Sequence, residues 1–369
     1  MTQHTRRSVL RLAAIGGAGS LLQAGHAGPP PAPAPEGPVD FVTPATQTAI
    51  DSGLAFLARS QRENGGFATE RPPGPAAVGV TALAGLALLA GGHHPGRGRY
   101  ARTVSRTADY LLAASDGPVS GFLTPPGGSR AGTEEWNQRA MYSHGFGCLF
   151  LGELSGTLPD PERQRRVRAA LERAVGYTVR AQCADGGWRY TPHPPYSDVS
   201  ATVAHLLALR AARNAGVLVR KDVVDSAARF LLACQRPDGG FSYTRGAGET
   251  SMFARSAAAL VGLFSTGAYS GPEVERGLRY VQQFRPGRSL TPRELPPAYY
   301  YYAHYYAALA MWTAGGTYWA TWAPAARDEL LSRARDGAWD DTIFGPVYAT
   351  AMSLIVLQLS DHYLPILQA

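Results

Sequence analysis

One pattern recurs through the chain and limits what it can become: Gln-x-x-(Asp/Asn)-Gly-Gly-(Phe/Trp). Phe56–Phe67, Tyr177–Trp188 and Phe230–Phe241 superimpose, with Gln61, Gln182 and Gln235 in one slot and Asn64-Gly65-Gly66, Asp185-Gly186-Gly187 and Asp238-Gly239-Gly240 in the next three. Weaker copies keep the frame. In Tyr110–Phe122 the Gln slot is Ser115 and Gly121 survives, and in Leu330–Trp339 the slot is Arg335 before Asp336-Gly337-Ala338-Trp339. The closing aromatics stand at 67, 122, 188, 241 and 339, and the long last step leaves room for a degenerate unit, Glu275–Gly287. Six units result. A repeat of this period buries its apolar face only by stacking on its neighbours, so the chain from residue 45 onward is expected to be one repeat domain.

Each unit follows the same plan. An amphipathic helix ends at the Gln, the Gly-Gly turn supplies the positive φ that glycine adopts without strain, and the aromatic anchors the turn. A variable loop then leads to a second, more apolar helix: Ala77–Ala90, Ala140–Leu154, Ser200–Asn214, Phe253–Phe264, Tyr299–Thr313 and Val347–Leu359. The first helices carry Arg and Glu, whereas the second carry Ala, Leu and Gly. That contrast predicts an outer and an inner ring.

The repeat resembles that of the squalene/hopene cyclase and protein prenyltransferase β-subunit superfamily, over about residues 45–365. The resemblance implies an all-α fold, an (α/α)6 toroid of six helical hairpins. Met141–Glu153 (MYSHGFGCLFLGE), Leu207–Gly216, Ala303–Ala307 and Tyr363–Gln368 look like an exported bacterial branch of the prenyltransferase and squalene oxidase repeat proteins, for which no activity is implied.

The chemistry implied by the resemblance is poorly represented. Hopene-type cyclases protonate an alkene with the middle aspartate of an Asp-x-Asp-Asp box, a carboxylic acid kept protonated by burial and acidic neighbours. Here Asp198-Val199-Ser200-Ala201 keeps the first aspartate, and the donor's place is Ser200. Asp340-Asp341-Thr342 keeps two acids and a threonine, but directly after the turn aromatic Trp339, where paired acids commonly cap or face solvent. Asp198, Asp340 and Asp341 are therefore weak catalytic candidates. Prenyltransferases hold zinc with an Asp-x-Cys pair and a later histidine. Ser200 replaces the sulfur ligand and Phe253–Phe264 has no histidine, so neither a metal nor any other cofactor is expected. Cys148 and His144, four residues apart, form a thiol and imidazole pair on one helical face, read more readily as a buried thiol.

An aromatic, histidine-bearing wall remains at the starts of the inner helices: Tyr142, His144, Tyr302, His304, Tyr305 and Tyr348. Such a wall suits an apolar, isoprenoid-like ligand held by apolar and cation–π contact. Two other readings compete: a non-catalytic toroid whose mouth recognises a protein or peptide, and a carbohydrate-active (α/α)6 enzyme with Asp198 or Glu135 paired to a His or Tyr as acid and base. No Gly-Cys-Gly-Glu-Gln thioester motif is present.

The ends and the composition bear on location and partners. Residues 1–27 resemble a twin-arginine signal peptide: Arg6-Arg7, a mild apolar run from Leu12 to Leu22, and small residues ending at Ala27. Residues 28–44 read as a proline-rich linker, and 45–369 as the toroid. An exported protein, periplasmic or extracellular, is implied. Cleavage removes Arg6, Arg7 and Arg11 and no acid, so the net charge of +7 falls to +4. The chain has no dense basic run interleaved with aromatics, so nucleic acid is not an expected partner. It also lacks the apolar stretch of about 18–20 residues that a transmembrane span needs. Three scattered cysteines allow at most one disulfide.

Overall fold

The computed structural model describes residues 41–70, 73–127, 140–246 and 249–367. The signal segment, the linker as far as residue 40, and Glu135 lie outside the described residues. Twelve α-helices alternate between two classes among these residues. The outer class is α1 (Pro44–Ser60), α3 (Ala101–Ser115), α5 (Pro161–Arg180), α7 (Lys221–Ala233), α9 (Pro272–Gln282) and α11 (Gly316–Arg333). The inner class is α2 (Val78–Ala90), α4 (Ala140–Leu154), α6 (Val199–Asn214), α8 (Phe253–Thr266), α10 (Tyr300–Ala314) and α12 (Pro346–Leu357). One antiparallel hairpin, β1 (Ala68–Glu70) with β2 (Pro73–Ala76), fills the first loop and pairs Ala68 with Ala76.

The inner helices form a closed ring: α2 packs on α4, α4 on α6, α6 on α8, α8 on α10, α10 on α12, and α12 back on α2. This is the helical toroid expected from the repeat. Burial follows the two classes. Every residue of α2 is buried, while α5 buries only six of its twenty, on one stripe. A helix apolar all round belongs in a core, and an amphipathic one covers it. No described helix is long and apolar enough to cross a membrane.

Local signals set the helix starts. Thr43 accepts from the Thr46 N–H ahead of Pro44, and Asp160 accepts from the Glu162 N–H ahead of Pro161, both with proline in the first turn. Phe41 is already buried and packs on Trp319, so packing reaches back beyond the first helix.

The repeat residues join each hairpin to the next. Gln182 Nε2 donates to the Gly186 carbonyl within its own turn and to the Val223 carbonyl of the following outer helix, and Gln235 does the same with Gly239 and Glu273. The turn aromatics are held from inside. Phe67, Trp188, Phe241 and Trp339 each donate their backbone N–H to an inner-helix hydroxyl, of Thr81, Thr202, Ser256 and Thr350 respectively. Gln182→Ala leaves the Val223 carbonyl without this side-chain donor and should lower unfolding free energy by about 1–2 kcal/mol. Urea unfolding reads this directly; an unchanged midpoint would remove the Gln from the joint.

Gly79 and Gly85 of α2 lie against Ser143 and Phe150 of α4, and Gly145 and Gly152 of α4 against Ala204 and Ala211 of α6, so these neighbouring inner helices run in parallel and the ring has two unlike ends. At the end where they terminate, the C-terminal segment lies across the ring. Ile366 N–H donates to Glu153 of α4, His362 packs on Trp312 of α10, and Gln358 Nε2 reaches the Ala87 carbonyl of α2. The other end, where the inner helices begin, carries the turns and variable loops.

Candidate functional site at the start of the inner helices

Tyr142 on α4 and Tyr302 on α10 stand on non-adjacent inner helices, yet their rings lie 6.5 Å apart, so they meet across the interior of the ring. Tyr306 packs on Tyr302 at 4.8 Å, Tyr305 packs on Tyr306, and Tyr190 lies 6.3 Å from Tyr142. Tyr142 and Tyr302 retain some accessible surface, but burial drives both phenols well above the usual tyrosine range. Both side chains are thus desolvated within the ring interior. The hydroxyls of Tyr142, Tyr302 and Tyr306 are buried beside one another, and that of Tyr302 also meets the Ser200 hydroxyl. Tyr348, on α12, is buried beside Phe344 and raises the Tyr306 phenol electrostatically.

The two histidines of the expected wall do not join it. His144 turns outward, with Nε2 3.0 Å from Thr178 Oγ1 on α5 and Nδ1 accepting from the Leu123 N–H at 3.3 Å. His304 packs among Tyr300, Phe253 and Trp322 of α11, again away from the interior. The reason is helical geometry. Residues two apart differ by about 200° around the axis, so Tyr142 and Tyr302 facing inward send His144 and His304 outward, while Tyr305 and Tyr306 return to the side of Tyr302.

Both histidines are neutral. Burial pulls His144 down to about 3 and His304 to about 4. Cys148 Sγ lies 3.6 Å from His144 Nε2, and burial raises its thiol to about 12, so the pair is thiol and imidazole, without a reactive thiolate. All three cysteines are buried and free.

Asp198 caps α6. Its Oδ1 accepts from the Ala201 N–H at 2.9 Å, its own N–H donates to the Trp188 carbonyl, and the side chain is fully buried. Its Oδ2 is buried, and the Tyr243 hydroxyl acts on the carboxyl. Desolvation raises the carboxyl to about 6 against the opposing pull of the Ala201 N–H and of Arg189. Asp341 instead shapes the turn before α12, where its Oδ1 accepts from the Ile343 and Phe344 N–H groups at 2.8 Å, and Asp340 is exposed. Neither acid is brought to Asp198. The position also does not suit zinc, because Asp198 commits one oxygen to the helix cap and α8 has no histidine to complete a set.

Loop residues complete the site, and the reading of inner-helix starts missed them. Tyr243 donates from its hydroxyl to the Tyr190 hydroxyl at 2.7 Å, and the guanidinium of Arg189 sits 4.2 Å from the Tyr196 ring and 5.6 Å from that of Tyr243. Arg255, near the start of α8, lies 5.8 Å from the same Tyr243 ring and 3.8 Å from Glu249. A sequence signal was available: Tyr190 and Tyr243 each stand two residues after their turn aromatic, in one repeat slot.

Comparison with known proteins agrees with this architecture. No protein-family model matches the chain. A drimenyl diphosphate synthase from Streptomyces showdoensis is 27% identical over 197 residues, 53% of this chain. The matched stretch spans 32% of that relative. The type II terpene cyclase MstE from Scytonema superimposes with a TM-score of 0.58 at 14% identity, covering 87% of this chain and all of that one. A variant of MstE holding geranylgeranyl dihydroxybenzoate superimposes at 0.56 over 87% of this chain and 98% of that one, also at 14% identity. A glycosidase variant in complex with glucose gives 0.57 at 16% identity over the same shares. The chain thus has the toroid fold of terpenoid cyclases, which glycosidases share.

Proposed function

We propose that this chain is an exported terpenoid cyclase-like repeat protein that binds an apolar, isoprenoid-like ligand inside the ring, without hopene-cyclase or zinc prenyltransferase chemistry. The observation that carries the reading is the Tyr142 and Tyr302 pair meeting across the interior, with Tyr306 behind it, all strongly desolvated. Such rings offer apolar faces to a polyene and leave hydroxyls to orient it. The solved relative that holds geranylgeranyl dihydroxybenzoate supports the choice of ligand class. The replaced acid box at Ser200 and Ala201 argues against alkene protonation by the family's route.

Native mass spectrometry of the exported protein tests this. The expected result is a mature N-terminus at Gly28 and a bound prenyl lipid whose occupancy falls severalfold in Tyr142→Ala. Ligand-free protein that also fails to take up farnesol would overturn the reading. A second reading, a toroid that docks a protein or peptide, draws on the exposed Tyr196, Tyr299 and Ile343 at the loops that lead into α6, α10 and α12. A defined partner released by Tyr299→Ser would favour it.

A further inference from the structure

We propose that Arg189, Arg255 and Tyr243, beside the Asp198 cap of α6, form a head-group subsite for an oxyanion, so that the ligand is an amphiphile with a carboxylate or phosphate at one end. The inference rests on the ligand-binding reading above and specifies its polar end.

The subsite is built on backbone pairing. Arg189 follows Trp188, whose carbonyl accepts from the Asp198 N–H at 2.9 Å, and the Val199 N–H donates to the Tyr243 carbonyl at 3.0 Å. These bonds hold Arg189, Asp198 and Tyr243 around the N-terminus of α6. Both guanidiniums approach the Tyr243 ring, at 5.6 and 5.8 Å. Tyr302, whose phenol feels the charge of Asp198 and the hydroxyl of Ser200, connects the row to the tyrosine-lined interior.

Part of its hydrogen-bonding capacity is unused. Arg189 Nη1 and Arg255 Nε are buried donors with no acceptor among the described residues. A buried guanidinium N–H without an acceptor is costly, and proteins rarely keep one without a use. Burial also depresses the Arg255 guanidinium below its usual range, although Glu249 opposes this. A planar guanidinium with a free N–H suits an oxyanion better than a single hydroxyl. Asp198 stays at the edge of the subsite, where its carboxyl caps α6 and its charge is offset by Arg189. The apolar tail then runs past Tyr302 toward Tyr142 and Tyr306.

Farnesoic acid, farnesyl monophosphate and farnesol share one tail and differ in the head, so titrating all three into the full chain by calorimetry separates the two ideas. Both anions should bind about tenfold or more tightly than the alcohol, and the tighter anion names the head group. Arg189→Gln should shrink that advantage to less than about threefold, with Arg189→Lys recovering part of it. Thermal unfolding of each variant confirms that it is folded. Farnesol binding as tightly as both anions would overturn the subsite while leaving the apolar site standing. Failure of all three to bind would overturn the ligand-binding reading itself.

Discussion

Gly186→Ala should cost about 3–4 kcal/mol of unfolding free energy, while Gly267→Ala should cost only about 1–2. Both glycines have a left-handed backbone, with φ of +101° and +97°, so alanine incurs similar conformational strain at each. Their surroundings differ. A Cβ at Gly186 would lie 2.5 Å from the Ser226 carbonyl oxygen on α7, whereas nothing stands within 4 Å of one at Gly267, beyond the end of α8. The difference therefore measures the close approach of turn to neighbouring helix. Gly239 repeats it against the Arg276 carbonyl on α9, also at 2.5 Å. Urea unfolding of the two single variants provides the comparison. Equal losses would mean that the turn glycines serve conformation alone and that the joint between hairpins lies elsewhere.

That joint explains why the fold was legible in the sequence and the site much less so. Gln182, Gly186 and Trp188 each meet a fixed backbone or hydroxyl group of the same or next hairpin, so their identity recurs from copy to copy and the period is visible. The inner helices were legible for a related reason: a helix such as α2, buried on all sides, has few polar positions to blur its ends. The interior of the ring follows no such rule. Tyrosine and histidine at the start of an inner helix look alike in composition, and only the phase of the helix separates Tyr302, facing inward, from His304, facing Trp322. Arg189 and Arg255 were harder still. One sits in a loop and the other in the first turn of α8, and their meeting at Tyr243 depends on how two loops fold over the ring.

Glu153→Gln should become steadily more stable than the parent as pH rises from about 4.5 to 8. Glu153 is buried on α4 and accepts from the Ile366 N–H. Desolvation raises its carboxyl from 4.5 to about 7, although the Ile366 N–H and the charge of Arg210 oppose the shift. Between those values the native state holds a proton that the unfolded chain releases, so stability falls as pH rises through the window and levels off above it. The shift corresponds to roughly 3 kcal/mol. Asp198, raised to about 6, acts in the same direction at lower pH. Histidines oppose both. His144, His205 and His304 are held neutral by burial, so the unfolded chain binds protons first and stability falls as pH drops below 6.5. Below about pH 4 the acids no longer compensate, and unfolding should steepen. Glutamine at position 153 keeps an acceptor for Ile366 but cannot ionise. The variant should match the parent near pH 4.5 and exceed it by about 3 kcal/mol at pH 8. Amide exchange at Ile366 locates the effect: protection should fall between pH 6 and 8, after correction for intrinsic exchange, in the parent but not in the variant. If both lose protection equally, the C-terminal segment closes its end of the ring by apolar packing of Leu364 and Ile366, and the charge on Glu153 does not govern it.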